Sequence, residues 1–222
     1  MKKTLFTLYL MGILMPQLCA QKLDWGFRWG TNYTKFSPKQ NDWKSEGYQF
    51  NYTMGFYFHS KSPNSNHFIQ PEVMISKRGG NMRYTGETRL EQNRYKLVSE
   101  NITQRNAHYA DVALTIGYYI NNGKLRVYAG PMFSYLLGAT QKGEGLADAW
   151  FPQALSAVVI NYYVGAGFNV GRWGFDLRYE RNFSSVGEVL PNGHQLNDTV
   201  RNIQFTFSYK LNSDRGRYFY TR

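Results

Sequence analysis

Ala107-His108-Tyr109-Ala110-Asp111-Val112-Ala113-Leu114-Thr115-Ile116-Gly117-Tyr118-Tyr119-Ile120 leads into Asn121-Asn122-Gly123-Lys124, and Leu125-Arg126-Val127-Tyr128-Ala129-Gly130-Pro131-Met132-Phe133-Ser134-Tyr135-Leu136-Leu137 leads out again. Every second residue from Val112 to Ile120 is apolar: Val112, Leu114, Ile116, Tyr118 and Ile120. Asp111, Ala113, Thr115, Gly117 and Tyr119 lie between them. A period of two is the signature of a strand with two unlike faces. Asn-Gly supplies the positive φ angles that tight hairpin turns need. The alternation then resumes as Leu125, Val127, Ala129, Pro131, Phe133, Tyr135 and Leu137, against Arg126, Tyr128, Gly130, Met132 and Ser134. The stretch is a long hairpin with one greasy face and one face carrying charge and glycine.

The same alternation recurs on both sides of this hairpin. Leu23, Trp25, Phe27 and Trp29 oppose Asp24, Gly26, Arg28, Gly30 and Asn32, with Tyr33 and Phe36 closing the strand. A polar loop is expected from Ser37 to Gly47. Tyr48, Phe50, Tyr52, Met54, Phe56 and Phe58 then oppose Gln49, Asn51, Thr53, Gly55, Tyr57 and His59. Ile69, Pro71, Val73 and Ile75 oppose Gln70, Glu72, Met74, Ser76 and Arg78. Pro71 has no N–H for a ladder, so a bulge or irregular pairing is expected there. Gly79-Gly80 should bend this strand, and Asn81 to Arg105, long, charged and still partly β-like, is read as strand extensions rising into a mobile, solvated loop. After the hairpin, a second long loop runs from Gly138 to Ser156, with a short helical turn expected over Leu146 to Leu155. Three more strands follow, built on Val158–Val170, Trp173–Phe183 and Ile203–Leu211.

Composition agrees with an all-β chain. Aromatic residues make up 17%, with 18 Tyr, 15 Phe and 21 Gly among 222 residues. That mixture favours strands and tight turns. The net charge of +11 comes from scattered basic residues, not from a run or a helix face. No nucleic-acid partner is therefore expected. Lys2 and Lys3 precede an apolar core from Leu5 to Met15, and Leu18-Cys19-Ala20 offers a cleavage site. Residues 1–20 are thus expected to be a signal peptide. The only cysteine, Cys19, falls inside that segment. The barrel is expected over residues 21–212 and a patternless tail over 213–222.

Two features turn the greasy face outward. About eight strands of about ten residues or more match the length of tilted membrane-spanning strands. Connections after the second, fourth and sixth strands are short, and the others are long. That alternation belongs to a transmembrane barrel with short periplasmic turns and long external loops. The minority face carries Arg28, Glu72, Asp111, Arg126, Asp176, Arg178 and Glu180, which a lumen filled by its own side chains could pair into an ion network. Placed without partners in a soluble core they would cost several kcal/mol each. Trp25, Phe58, Tyr118, Trp173 and Tyr209 are expected at the periplasmic interface, and Tyr33, Tyr48, Tyr135 and Phe183 at the external one, as an aromatic girdle. The fold expected is an all-β, eight-stranded antiparallel up-and-down transmembrane β-barrel in the outer membrane of a Gram-negative bacterium.

Gln70-Pro71-Glu72 before Gly79, Ala129-Gly130-Pro131 leading to Ser134-Tyr135-Leu136-Leu137, and Asp176-Leu177-Arg178-Tyr179 together resemble the PorT-like outer-membrane β-barrel family of Bacteroidetes. The likeness extends over essentially the whole chain after the leader. It implies an eight-stranded outer-membrane barrel. Its founding member takes part in the type IX secretion pathway, while most relatives have no assigned role.

Two rival functions differ in chemistry. A lipid-modifying enzyme would need a serine, a histidine and an acid together near one rim. His59 and His67 flank a short turn and His194 lies in a loop, while His108 is close to Asp111, but no serine at strand spacing joins both on one face. A soluble lipocalin-like binder would turn the aromatics inward, too many for the lumen, and expose Asp111, Asp176 and Glu180. The expected function is a non-enzymatic barrel with a filled lumen and long external loops, acting as a structural or interaction component. Its expected partners are outer-membrane lipid and other envelope or secretion proteins. No catalytic, cofactor or metal residues are expected.

Overall fold

The computed structural model describes residues 23–37, 43–61, 65–84, 89–91, 94–96, 102–120, 123–142, 155–183 and 199–212. The sequence-based expectations for the leader, the helical turn before Leu155, His194 and the tail lie outside these residues; Leu155 itself is described. The alternating stretches become β1 (Leu23–Ser37), β2 (Trp43–Lys61), β3 (His67–Tyr84), β6 (Ile102–Ile120), β7 (Leu125–Lys142), β8 (Val158–Val170), β9 (Trp173–Asn182) and β10 (Thr199–Lys210). A small ribbon, β4 (Arg89–Glu91) with β5 (Arg94–Lys96), sits in the connection between β3 and β6.

The eight long strands close on themselves in the order β1-β10-β9-β8-β7-β6-β3-β2. Every neighbouring pair is antiparallel, and β1 pairs with both β2 and β10. Closure removes the free sheet edges that would otherwise present unpaired N–H and C=O groups. The expected eight-stranded up-and-down barrel is therefore the fold.

Burial follows the period of two. Along β9, for example, Gly174, Asp176, Arg178, Glu180 and Asn182 are buried, while Trp173, Leu177 and Tyr179 are exposed. Val112, Ile116 and Phe133 on the opening hairpin are each about half exposed. The charged face looks into the barrel and the greasy face forms the outer wall.

Some expectations need correction. The first long connection is shorter than Ser37 to Gly47, because β2 begins at Trp43 and pairs with the extended end of β3 through Trp43↔Tyr84 and Ser45↔Met82. Gly47, at φ +102°, lies in the irregular stretch between the Ser45 and Tyr48 pairings. It serves a bulge, where a left-handed conformation suits glycine. No bulge forms at Pro71, although the pairing with β2 is interrupted there, as irregular pairing would have it. The β3–β6 ladder runs unbroken through Pro71↔Leu114, and towards β2 the pairing passes from Tyr57↔Glu72 to Ser60↔Ile69 in one register. A proline in a barrel strand can simply omit one rung. The register shifts lie instead between Ser45 and Thr53 and at His108/Tyr109. The strand extensions expected beyond Gly79-Gly80 are present, since β3 continues to Tyr84 and β6 begins at Ile102.

Candidate functional site: the filled lumen

The alternation aims charged side chains from opposite walls into one narrow space. Arg28 on β1 donates to Glu72 Oε1 on β3 at 2.7 Å and to Asp176 Oδ2 on β9 at 3.1 Å. Arg178 on β9 crosses to both Glu72 oxygens, at 3.0 and 2.9 Å. Arg126 on β7 grips Asp176 from its Nε and Nη2 atoms, at 3.0 and 2.5 Å. These five side chains form one chain of contacts, Arg126–Asp176–Arg28–Glu72–Arg178, and each residue is 5% exposed or less. Gln70 and Thr115 add donors to Glu72 at 2.8 and 2.9 Å. The carboxylate is thereby saturated with hydrogen bonds, the condition under which a buried charge is tolerable.

A second cluster gathers around Arg78, whose Nη2 lies 2.9 Å from Asp111 Oδ2 and 3.7 Å from Glu180 Oε2. Arg78 also donates to Ser134 Oγ on β7 at 2.9 Å. Ser76 supports Asp111, and Asn202 supports Glu180 at 2.7 Å. All seven charged residues singled out from the sequence are buried in the lumen and sit in these two clusters. The sequence pattern put Arg78 on the inner face but not in the network, because the glycine pair after it suggested that the strand bends away.

The lumen is not purely polar. Tyr57, Phe68, Tyr128 and Tyr163 also point inward and are nearly fully buried. The strand register explains how they fit: Tyr128 pairs with Gly165 and Tyr163 with Gly130. A Cβ on Gly165 would stand 2.6 Å from the Tyr128 ring. The bare glycine is what lets the ring lie flat against the wall. Arg178 then stacks on Tyr163, its guanidinium carbon 4.1 Å from the ring centroid. Such a contact favours a weakly hydrated guanidinium in a dry site.

Above the ionic clusters, towards the ends carrying the longer connections, Phe36, Met82, Ala107, Tyr109, Leu155, Val159 and Val200 form a buried apolar cluster. Phe36 shares the inward parity of Asn32 and Thr34, a signal available in the sequence. The apolar cluster lies across the lumen as a plug.

The other residues named from the sequence lie on the outer wall or at the rims. Trp25 pairs across with Phe58, Trp173 packs edge-on against Tyr209 at 4.8 Å, and Tyr118 meets His67 at 5.1 Å. These sit where the strand ends are joined by the short connections 62–66, 121–124 and 171–172. At the other end Tyr33 stacks on Tyr48 at 4.6 Å, Tyr162 meets Phe183 at 4.5 Å, and Tyr135 is 57% exposed. The three described histidines are separated. His59 is buried between Gln70 and Tyr119, at 3.0 and 3.1 Å. His108 faces outward towards Tyr52, on the opposite face of β6 from Asp111. Among the described residues no three His, Cys, Asp or Glu side chains gather as a metal-ion cluster.

A closed eight-stranded barrel with an apolar exterior and a paired, packed interior is the architecture of a small membrane-spanning β-barrel. The chain matches the outer membrane protein beta-barrel domain family over residues 19–188 and belongs to that family. It is an outer-membrane β-barrel protein. No curated protein matches the chain. Among solved structures it is similar to Ail, the attachment invasion locus protein of Yersinia pestis, solved in complex with the heparin analogue sucrose octasulfate. Identity there is 14% and the TM-score 0.44, covering 86% of this chain and 99% of that one. It is also similar to Neisserial surface protein A, with 8% identity and a TM-score of 0.47, covering 86% of this chain and 100% of that one.

Proposed function

We propose that this protein is a closed, non-enzymatic barrel that acts as a membrane-anchored structural or interaction component, with its long connections turned to the outside. The observation that carries this reading is the lumen. Arg28, Glu72, Asp176 and Arg178 bridge opposite walls, and the cluster around Phe36 lies across the path beyond them. A solute passing through would have to break buried ion pairs, each costly to separate in a dry interior. The outward rings Trp25, Tyr118, Trp173, Tyr209 and Tyr135 are read as belts at headgroup level. With the fold filled by its own side chains, partners are engaged by the connections or the periplasmic face.

Planar-bilayer recording of the refolded barrel tests this. The expected record shows no stable conductance steps; large, long-lived steps would refute the closed lumen. A link to protein secretion rests on the PorT-like resemblance of Gln70-Pro71-Glu72, Ala129-Gly130-Pro131 and Asp176-Leu177-Arg178-Tyr179. Deletion of the gene should then reduce the proteins exported to the cell surface, and an unchanged exported set would remove that link.

A further inference from the structure

At the end of the barrel that bears the short turns, a cavity of about 230 Å³ opens between the start of β1, the ends of β2 and β10, and the 171–172 turn. By the usual orientation of such barrels this end faces the periplasm. Its charges are one-sided. Among the described residues Lys61, Arg126, Arg172 and Lys210 line it, against the single acid Asp24. Asp24 is already held by Lys210 at 2.7 Å, and Arg126 by Asp176. Lys61 instead rests over the Tyr119 ring, 5.2 Å from its centroid. Among the described residues neither Lys61 nor Arg172 meets a carboxylate.

A narrow cleft lined by charges of one sign, with low-dielectric walls, focuses the potential and concentrates the counter-charge. The identity of the anion follows from how the donors are arranged. A planar carboxylate matches the fork of a single guanidinium, the bidentate grip that Arg126 takes on Asp176. Here the cations are separate charges on different walls, at β2, the 171–172 turn and β10, with Tyr119 and Asn169 adding hydrogen-bonding groups. Several dispersed cations suit a compact, multivalent, tetrahedral oxyanion.

We propose that this cavity is a phosphate-binding vestibule facing the periplasm, with Lys61 and Arg172 as its principal free cations. The phosphate could be carried by an inner-leaflet phospholipid headgroup or by a soluble phosphate. The site is independent of whether the lumen conducts.

Calorimetric titration of inorganic phosphate into the refolded, full barrel in phosphate-free maltoside micelles at low salt tests it. Saturable binding is expected, weakened about tenfold or more in Lys61→Gln/Arg172→Gln, since about 1.4 kcal/mol corresponds to tenfold. Each single substitution should give an intermediate loss, which keeps the test decisive if the double variant fails to fold. Lys124→Gln, an exposed cation at the same end but not lining the cavity, should leave binding unchanged. Sodium acetate should not compete. Repeating the titration in nanodiscs of zwitterionic phosphatidylcholine, which supply headgroup phosphate without net surface charge, separates the sources. Weakened phosphate binding there identifies the headgroup, and unchanged binding identifies a soluble phosphate. Absence of binding to the wild type, an equal loss in Lys124→Gln, or acetate competing as well as phosphate would overturn the proposal.

Discussion

The two ionic clusters in the lumen are unbalanced in opposite senses. The one nearer the short turns, Arg126–Asp176–Arg28–Glu72–Arg178, has three guanidiniums for two carboxylates. The other, Asp111–Arg78–Glu180, has two carboxylates for one guanidinium. Neither is neutral alone, and the eight side chains together are. The partners come from β1, β3, β6, β7 and β9, strands that meet across the lumen only when the barrel has closed. A register slip of one residue would send every one of these charges into the outer wall. Charge balance here is therefore a property of the closed barrel and not of any hairpin within it.

The clusters also differ in how much support each carboxylate keeps, and substitutions separate them by that measure. Glu72→Gln removes the anion shared by Arg28 and Arg178 and leaves the first cluster with a larger excess of positive charge. A loss of about 3–5 kcal/mol in unfolding free energy is expected, read by urea titration of the refolded barrel in detergent or vesicles. A loss below about 1 kcal/mol would show that these pairs behave as if solvated. Arg78→Met strands Asp111 and Glu180, but Ser76 and Asn202 still donate to them. The expected loss in the same titration is smaller, about 2–3 kcal/mol. Gly165→Ala pushes a methyl group against Tyr128 beside the first cluster and should cost about 1–2 kcal/mol by overpacking. Gly138→Ala meets nothing within 4 Å, and its unfolding midpoint should not move.

Much of the fold was legible because a period of two is hard to disguise over strands this long. Asp111 and Arg126 on the opening hairpin show both the power and the limit of that signal. Alternation assigns each residue to a face, but not to a height along the barrel. Height depends on the shear, which the irregularities between Ser45 and Thr53 and at His108/Tyr109 help to set. Hence nothing in the sequence paired Arg126 with Asp176 or Asp111 with Arg78. Arg78 was hidden by the glycines after it, which are compatible with either a bend or a continuing strand. Phe36 was hidden by its chemistry, since an apolar residue at a strand end is read as wall, not plug. Tyr128 opposite Gly165 left a usable trace, a large inward ring paired across the ladder with a residue that has no side chain.

A membrane-spanning barrel requires its outer wall to face lipid. Residues 21–222 contain no cysteine, so single cysteines can be placed at will. Ile116→Cys lies on the outer wall of β6 and Lys124→Cys at the adjoining turn. Both would carry a fluorophore in vesicles containing brominated lipid. Strong quenching at position 116 with weak quenching at 124, and slow reaction of the 116 thiol with a water-soluble reagent, is the result expected. Equal aqueous reactivity at the two positions, with no lipid quenching at 116, would contradict the outward orientation.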